Sequence, residues 1–157
     1  MPQHRRVLYH EFRDQSGLIT CQPDAAALLT IPHPSGEEAK GSTLGIFFEI
    51  DRSTEGLAQC LEKIPGYAAL SEQRAFVPYW PQILDRNIRV FWIVPSHKRI
   101  ANLAAALRKL PGTSAFRFIG LPDCQPDRLL TEPVWYDVKG NSPMTLYRKA
   151  ATDERTA

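Results

Sequence analysis

The segment 88–94 limits the possible folds of this chain more than any other, because Arg89 is its only polar residue. An apolar run of this length, with no alternation of polar positions, is typical of a strand that is buried on both faces of a parallel sheet. A helical pattern precedes it and another follows it, each with apolar residues spaced for one buried face. The order strand, helix, strand predicts right-handed crossovers between parallel strands. We therefore expect an α/β fold in which helices flank a mixed sheet.

The ends of the two helices can be predicted from residue type. The first helix is expected to begin near Thr54, which can serve as its N-cap, and Pro65-Gly66 interrupts its pattern. The second is expected over residues 97–110, with Ser96 as its cap and Pro111-Gly112 after its end.

Shorter apolar runs predict the other strands. They are expected at residues 18–21, 24–31, 44–51 and 116–121, with an edge strand at 134–138, while 7–12 fits either a strand or a helix. The runs 24–31 and 44–51 flank a polar loop rich in proline and glycine, so we expect them to pair as a hairpin.

Composition narrows the class of protein. The 157 residues, of which 43% are hydrophobic and 23% charged, suit one globular domain over residues 1–149 and a disordered tail at 150–157. No apolar run approaches the ~20 residues of a membrane span. Cys21, Cys60 and Cys124 form no CxxC pair and are expected to be reduced thiols of a cytoplasmic protein. The net charge of +2 permits a nucleic-acid partner without indicating one.

Carboxylates cluster at one end of the predicted hairpin. Side chains alternate faces along a strand, so Glu49 and Asp51 share one face while Phe48 and Ile50 point to the other. If the two strands pair, Asp24 lies beside Glu49 and Asp51. Carboxylates this close repel one another unless a cation or a set of donors compensates their charge, and a hard divalent ion with oxygen ligands is the simplest compensator.

This order of residues resembles the PD-(D/E)xK nuclease superfamily, in which an Asp after Pro and an acidic residue one strand later hold Mg²⁺. More narrowly, Pro23-Asp24-Ala25, the string FEIDRSTE at 48–55, Lys63 and Tyr67 look like the replication-relaxation family of plasmid and mobile-element proteins. The resemblance covers roughly residues 22–110.

The resemblance implies a restriction-endonuclease-like core, with Asp24, Glu49 and Asp51 binding Mg²⁺ or Mn²⁺ and acting in catalysis together with Lys63. It also implies DNA as a partner, with other replication or mobilisation proteins as further partners. No membrane partner is expected, because no apolar run is long enough to span one. The chain departs from the superfamily because Asp51 stands where the nuclease lysine is expected, so Lys63 is the predicted substitute. Only about twenty residues precede the motif, so we expect the family's N-terminal winged-helix domain to be missing.

Each of these residues has a structural alternative. Asp51 can hold the backbone amides at the start of the next helix, Lys63 can be a solvated helix lysine, and Tyr67 can be a core residue. The cluster His97-Lys98-Arg99 fits a phosphate contact or a solvated helix turn. The leading hypothesis is a metal-dependent, nuclease-like DNA-processing domain. The alternatives are a catalytically inactive DNA-binding or protein-docking module of the same fold, and an accessory protein that contacts no nucleic acid.

Overall fold

A computed structural model describes residues 7–15, 17–32, 42–52, 56–83, 88–140 and 143–146. The strands are β1 (His10–Asp14), β2 (Gly17–Cys21), β3 (Ala25–Ile31), β4 (Ser42–Ile50), β5 (Ile88–Val94), β6 (Phe116–Gly120) and β7 (Tyr136–Asp137). The helices are α1 (Leu57–Glu62), α2 (Ile64–Glu72) and α3 (His97–Leu107). None of these described helices has the length and apolar character needed to cross a membrane.

The main sheet has five strands in the order β3-β4-β5-β6-β7, and β1 and β2 form a separate antiparallel hairpin. Strands β3 and β4 pair as the predicted hairpin, β4, β5 and β6 run parallel, and β7 is antiparallel to β6. The predicted α/β class with a mixed sheet is therefore confirmed. The finer expectation of a restriction-endonuclease-like core stays a prediction.

The two faces of the sheet bury different sets of side chains. Phe47, Val90 and Trp92 pack with the helices and with the β1–β2 hairpin, while Ile46 and Phe91 pack on the other face. The predicted alternation along β4 is thus present, and β5 is covered on both sides as its apolar sequence requires.

The predicted interruption of the first helix divides it into α1 and α2 at Lys63. Pro65 lies in the first turn of α2, where its missing N–H costs nothing, but it cannot continue the hydrogen bonding of α1. Gly66 lets this turn pack directly on β2, because a Cβ there would lie 2.4 Å from the carbonyl oxygen of Thr20. The backbone of α2 is therefore held close to the β1–β2 hairpin.

Several predicted boundaries were wrong by a few residues. Helix α3 ends at Leu107 instead of residue 110, because the hydroxyl of Thr113 donates to the carbonyls of Leu107 and Leu110 and stabilises a turn there. Strand β6 stops at Gly120, where Leu121 and Pro122 begin a 3₁₀ turn. The edge strand β7 is only Tyr136–Asp137. Gly56 is extended and α1 begins at Leu57, while Thr54, the predicted N-cap, lies outside the described residues.

Candidate functional site

A buried carboxylate at the end of β4 is the centre of the candidate site. The side chain of Glu49 is 2% exposed, and its Oε2 accepts a hydrogen bond of 2.7 Å from Nζ of Lys63. Its Oε1 accepts a hydrogen bond from the hydroxyl of Tyr67. Both carboxylate oxygens are therefore bonded by side chains that reach the sheet from the helices.

The break between α1 and α2 explains why Lys63 and Tyr67 meet the same carboxylate. Lys63 occupies the break itself, and Tyr67 follows it by four residues, which places both on one face of the helical chain. Of the two alternatives that the sequence left open for Lys63, the structure has the one in which its amine reaches the carboxylate end of the sheet. Its part in catalysis stays a prediction.

Burial controls the protonation of this cluster. It raises the pKa of Glu49 above the ordinary value of 4.5, and the hydrogen bonds from Lys63 and Tyr67 oppose that rise while the negative charge of Asp24 adds to it. Burial and then the charge of Glu49 raise the pKa of Tyr67 far above its usual range. The same two causes raise the pKa of the Cys21 thiol to about 12. The Tyr67 hydroxyl and the Cys21 thiol are therefore both protonated at neutral pH.

Tyr67 is also a core residue. It is buried, and its ring meets Phe47 at a centroid distance of 6.4 Å and Phe116 at 5.8 Å. Its hydroxyl orients Glu49 from within the hydrophobic core, which fits a positioning role better than that of a nucleophile.

Asp24 lies beside Glu49 at the point where β3 begins. The ladder between β3 and β4 pairs Ala25 with Phe48, so Asp24 is one step further along, next to Glu49. Its Oδ2 accepts a hydrogen bond of 2.7 Å from the backbone N–H of Ile50, which points to the β3 side of the sheet just past the end of that strand. Asp24 therefore has a structural role as an acceptor and at the same time brings a second charge to Glu49.

Asp51 shares the face of Glu49, as predicted, but it has its own counter-ion. Its side chain is fully buried, and its Oδ2 accepts a hydrogen bond of 2.6 Å from Nε of Arg99. This bond is the main cause of the raised pKa of Arg99, which also donates to the Cys60 sulfur at 3.4 Å. The sequence did not reveal this pair, because it depends on how α3 packs across the end of β4.

The side chains at this site offer few ligands for a metal ion. Among the residues that the structure describes, no group of three or more His, Cys, Asp or Glu side chains is arranged to hold a metal ion. Mg²⁺ often takes one or two carboxylates and fills its remaining positions with water and substrate phosphate oxygens. Asp24 and Glu49 are two neighbouring carboxylates of this kind, whereas Asp51, the third predicted ligand, is paired with Arg99.

A second polar pair lies at the same edge of the sheet. Nε2 of His97, just after β5, is 2.6 Å from Oδ2 of Asp123, just after β6. The sequence analysis did not single out Asp123. Its position at the carboxyl end of a parallel strand next to β5 is the signal that would have found it, since such ends meet at one edge.

The chain matches no protein-family model, no curated protein and no solved structure.

Proposed function

We propose that this protein is a nuclease-like DNA-processing domain whose site is formed by Asp24, Glu49 and Lys63, in a replication or mobilisation system of a mobile element. The observation that carries the proposal is the ammonium group of Lys63 lying 2.7 Å from the buried carboxylate of Glu49, beside Asp24. A cation and two carboxylates at the carboxyl end of a sheet suit metal-assisted phosphodiester hydrolysis, because carboxylates can hold a metal ion and a cation stabilises the negative charge that develops on the phosphate.

In this proposal Asp24 and Glu49 hold Mg²⁺ or Mn²⁺. The bound ion would supply Lewis-acid chemistry at the phosphate and lower the pKa of its water. Lys63 places a positive charge where the negative charge of the phosphate develops, which replaces the strand lysine of the superfamily. Tyr67 fixes the rotamer of Glu49, and the Asp51–Arg99 pair joins the end of β4 to α3.

A catalytically inactive DNA-binding module is the second candidate. It is favoured by the fact that both oxygens of Glu49 already accept hydrogen bonds and that Asp51 is paired with Arg99. The cluster is thus satisfied without a metal ion. Such a module would bind phosphates through Lys and Arg side chains, and its affinity would fall as salt concentration rises.

The test is cleavage of supercoiled plasmid and of end-labelled single-stranded DNA with Mn²⁺ or Mg²⁺. The proposal expects cleavage that EDTA abolishes and that Glu49→Gln lowers by about 100-fold or more, because the amide keeps the shape but loses the charge that binds the ion. Glu62→Gln, an exposed carboxyl-to-amide change on α1, is the matched control and should cut like the native protein.

The two candidates differ in a second measurement. If native protein binds DNA in a salt-dependent way but never cuts it, and Glu49→Gln binds equally well, the inactive module is the correct function. If neither cleavage nor binding occurs at low salt with Mn²⁺ present, both DNA functions are wrong.

A further inference from the structure

The parallel strands β5 and β6 each carry a single charged side chain, and both are arginines. Arg89 is the only polar residue of β5, and Arg117 is the only one of β6. The register pairs Arg117 with Phe91, two residues after Arg89, so both arginines lie on the face of the sheet that carries Phe91. From the spacing of strands and residues, their Cα atoms are roughly 8 Å apart, which lets the two long side chains reach a common point.

Two like charges side by side are unfavourable on a half-buried sheet surface. Both arginines are partly buried. Burial lowers the pKa of Arg117 below its ordinary value of 12.5, the charge of Arg89 lowers it further, and the charge of Asp137 opposes these effects. Asp137 faces Arg117 across the ladder between β6 and β7. Asp137 supplies one negative charge for two guanidinium groups, so the pair keeps a net positive charge.

Each guanidinium group is anchored through the same nitrogen atom. Nη1 of Arg89 donates to the Ile88 carbonyl at 2.8 Å. Nη1 of Arg117 donates to the carbonyls of Ser114 and Phe116, both at 2.7 Å. Among the residues that the structure describes, none accepts a hydrogen bond from Nε or Nη2 of either arginine. Every fully buried side-chain nitrogen in that part of the chain has a partner, so these atoms reach the surface.

The remaining edge of each guanidinium group suits an oxyanion. Nε–H and one Nη2–H point the same way from the plane's edge and can bind two oxygens of one anion. Two such edges offer four N–H donors. A tetrahedral phosphate has enough oxygens for both edges, whereas a carboxylate has only two oxygens and is already satisfied by one edge. The pair of arginines therefore fits a phosphate group better than a carboxylate.

We propose that Arg89 and Arg117 form a binding site for the phosphate group of a small molecule, either inorganic phosphate or a phosphate monoester. This site is separate from the one at Glu49. Glu49 pairs with Trp92, which is three residues or about 10 Å along β5 from Arg89, and it lies on the opposite face of the sheet. Phosphate binding at the two arginines therefore does not depend on the proposed DNA-processing function.

The test is an NMR titration of the isotope-labelled protein with inorganic phosphate at neutral pH and constant ionic strength. The Nε–H resonances of the two arginines, assigned from Arg89→Lys and Arg117→Lys, should shift until the site is saturated. Each variant keeps the charge but loses the two-pronged edge, so each should weaken phosphate binding by about tenfold. Arg128→Lys, at an arginine whose Nε is bonded to Glu132, is the matched control and should bind phosphate like the native protein.

Asp137→Asn is expected to increase the affinity, which a folding defect cannot imitate. The amide keeps the oxygen that accepts the backbone N–H of Lys139 at 2.9 Å, but it removes the negative charge that opposes an anion. Phosphate should bind about threefold or more tightly. Asp127→Asn, the same change at an exposed position, is the control and should leave the affinity unchanged.

Glycerol phosphate distinguishes the two sources of the phosphate group. Binding as tight as that of inorganic phosphate, or tighter, assigns the site to phosphate monoesters, and binding of inorganic phosphate alone assigns it to the free ion; both results support the proposal. Acetate that binds as tightly as phosphate would overturn it, as would the lack of any saturable shift. Phosphate binding that survives both lysine variants but is lost in Lys63→Met would place the anion at Glu49 and also overturn it.

Discussion

At the scale of single residues, the pairing of Glu49 with Lys63 affects how a change in activity of their variants is interpreted. Lys63 is 32% exposed, but its amine is bonded to the almost fully buried carboxylate of Glu49, so it is not a solvated helix lysine. Removing it leaves a buried carboxylate without its cation, which costs more than the loss of an exposed charge. A loss of activity in a Lys63 variant is therefore informative only when its stability is measured too.

A double-mutant cycle separates the two effects. We expect Lys63→Met, which keeps most of the apolar stem, to lower the free energy of unfolding by about 1–3 kcal/mol. Combined with Glu49→Gln it should cost less than the sum of the single changes, since the amide needs no cation. Urea denaturation measures all four proteins, with Lys98→Met as the exposed control. Additive effects would show that the two side chains do not interact in solution.

Part of this site could be predicted from the sequence, because it depends on contacts within one strand and between two neighbouring strands. The alternation along β4 placed Glu49 and Asp51 on one face, and the hairpin brought Asp24 to Glu49. Arg99 was named only as part of a phosphate-contacting cluster or a solvated helix turn, and Asp123 was not named. The pairs Asp51–Arg99 and His97–Asp123 were missed because each joins residues from elements far apart in sequence. Which helix residue reaches which strand end depends on packing angles that hydrophobic periodicity does not specify.

At the scale of elements, α2 packs closely on β2 at Gly66. We expect Gly66→Ala to lower the free energy of unfolding by about 1–3 kcal/mol, because the added Cβ meets backbone atoms of Thr20 and Cys21 that cannot rotate away. Gly56→Ala adds the same methyl group in open space and is the control. Equal thermal midpoints for the two variants would show that α2 and β2 are further apart in solution.

The β1–β2 hairpin carries a buried histidine that makes its attachment pH-dependent. Burial lowers the pKa of His10 below its ordinary value of 6.5, and the hydrogen bond between Nε2 and the Val7 carbonyl only partly opposes this. A lowered pKa means that the unfolded chain takes up the proton first as pH falls. The contribution of neutral His10 to the free energy of unfolding is therefore fully present above about pH 6.5 and is lost as the pH falls below that value.

When the pH is lowered from 7 to 5, we expect the free energy of unfolding to fall more in the native protein than in His10→Gln. Urea denaturation at the two pH values measures the difference. A difference between the two proteins that stays constant with pH would mean that His10 is hydrated in the folded state. We expect His10 to be shielded from water instead, because its ring lies 6.2 Å from the ring of Phe12 and 6.0 Å from that of Tyr79, measured between centroids.

At the scale of the whole molecule, one core joins the hairpin, the helices and the sheet. Cys21 of β2 and Cys60 of α1 are both buried in the same hydrophobic cluster, while Cys124 is partly exposed on the β6 side. The sequence predicted a single domain, and these thiols can test whether its parts unfold together. A buried thiol reacts only after the structure around it opens, and at Cys21 burial raises the thiol pKa to about 12 as well.

In a Cys124→Ser variant we expect no labelling by a thiol reagent over the time in which free cysteine reacts completely. In increasing urea, Cys21 and Cys60 should become labelled with the same midpoint, because both lose their protection only when the common core opens. Mass spectrometry of the digested protein assigns the label to each cysteine. Labelling of Cys21 at lower urea than Cys60 would show that the β1–β2 hairpin leaves α2 before the sheet unfolds, and would make it a separate unit of stability.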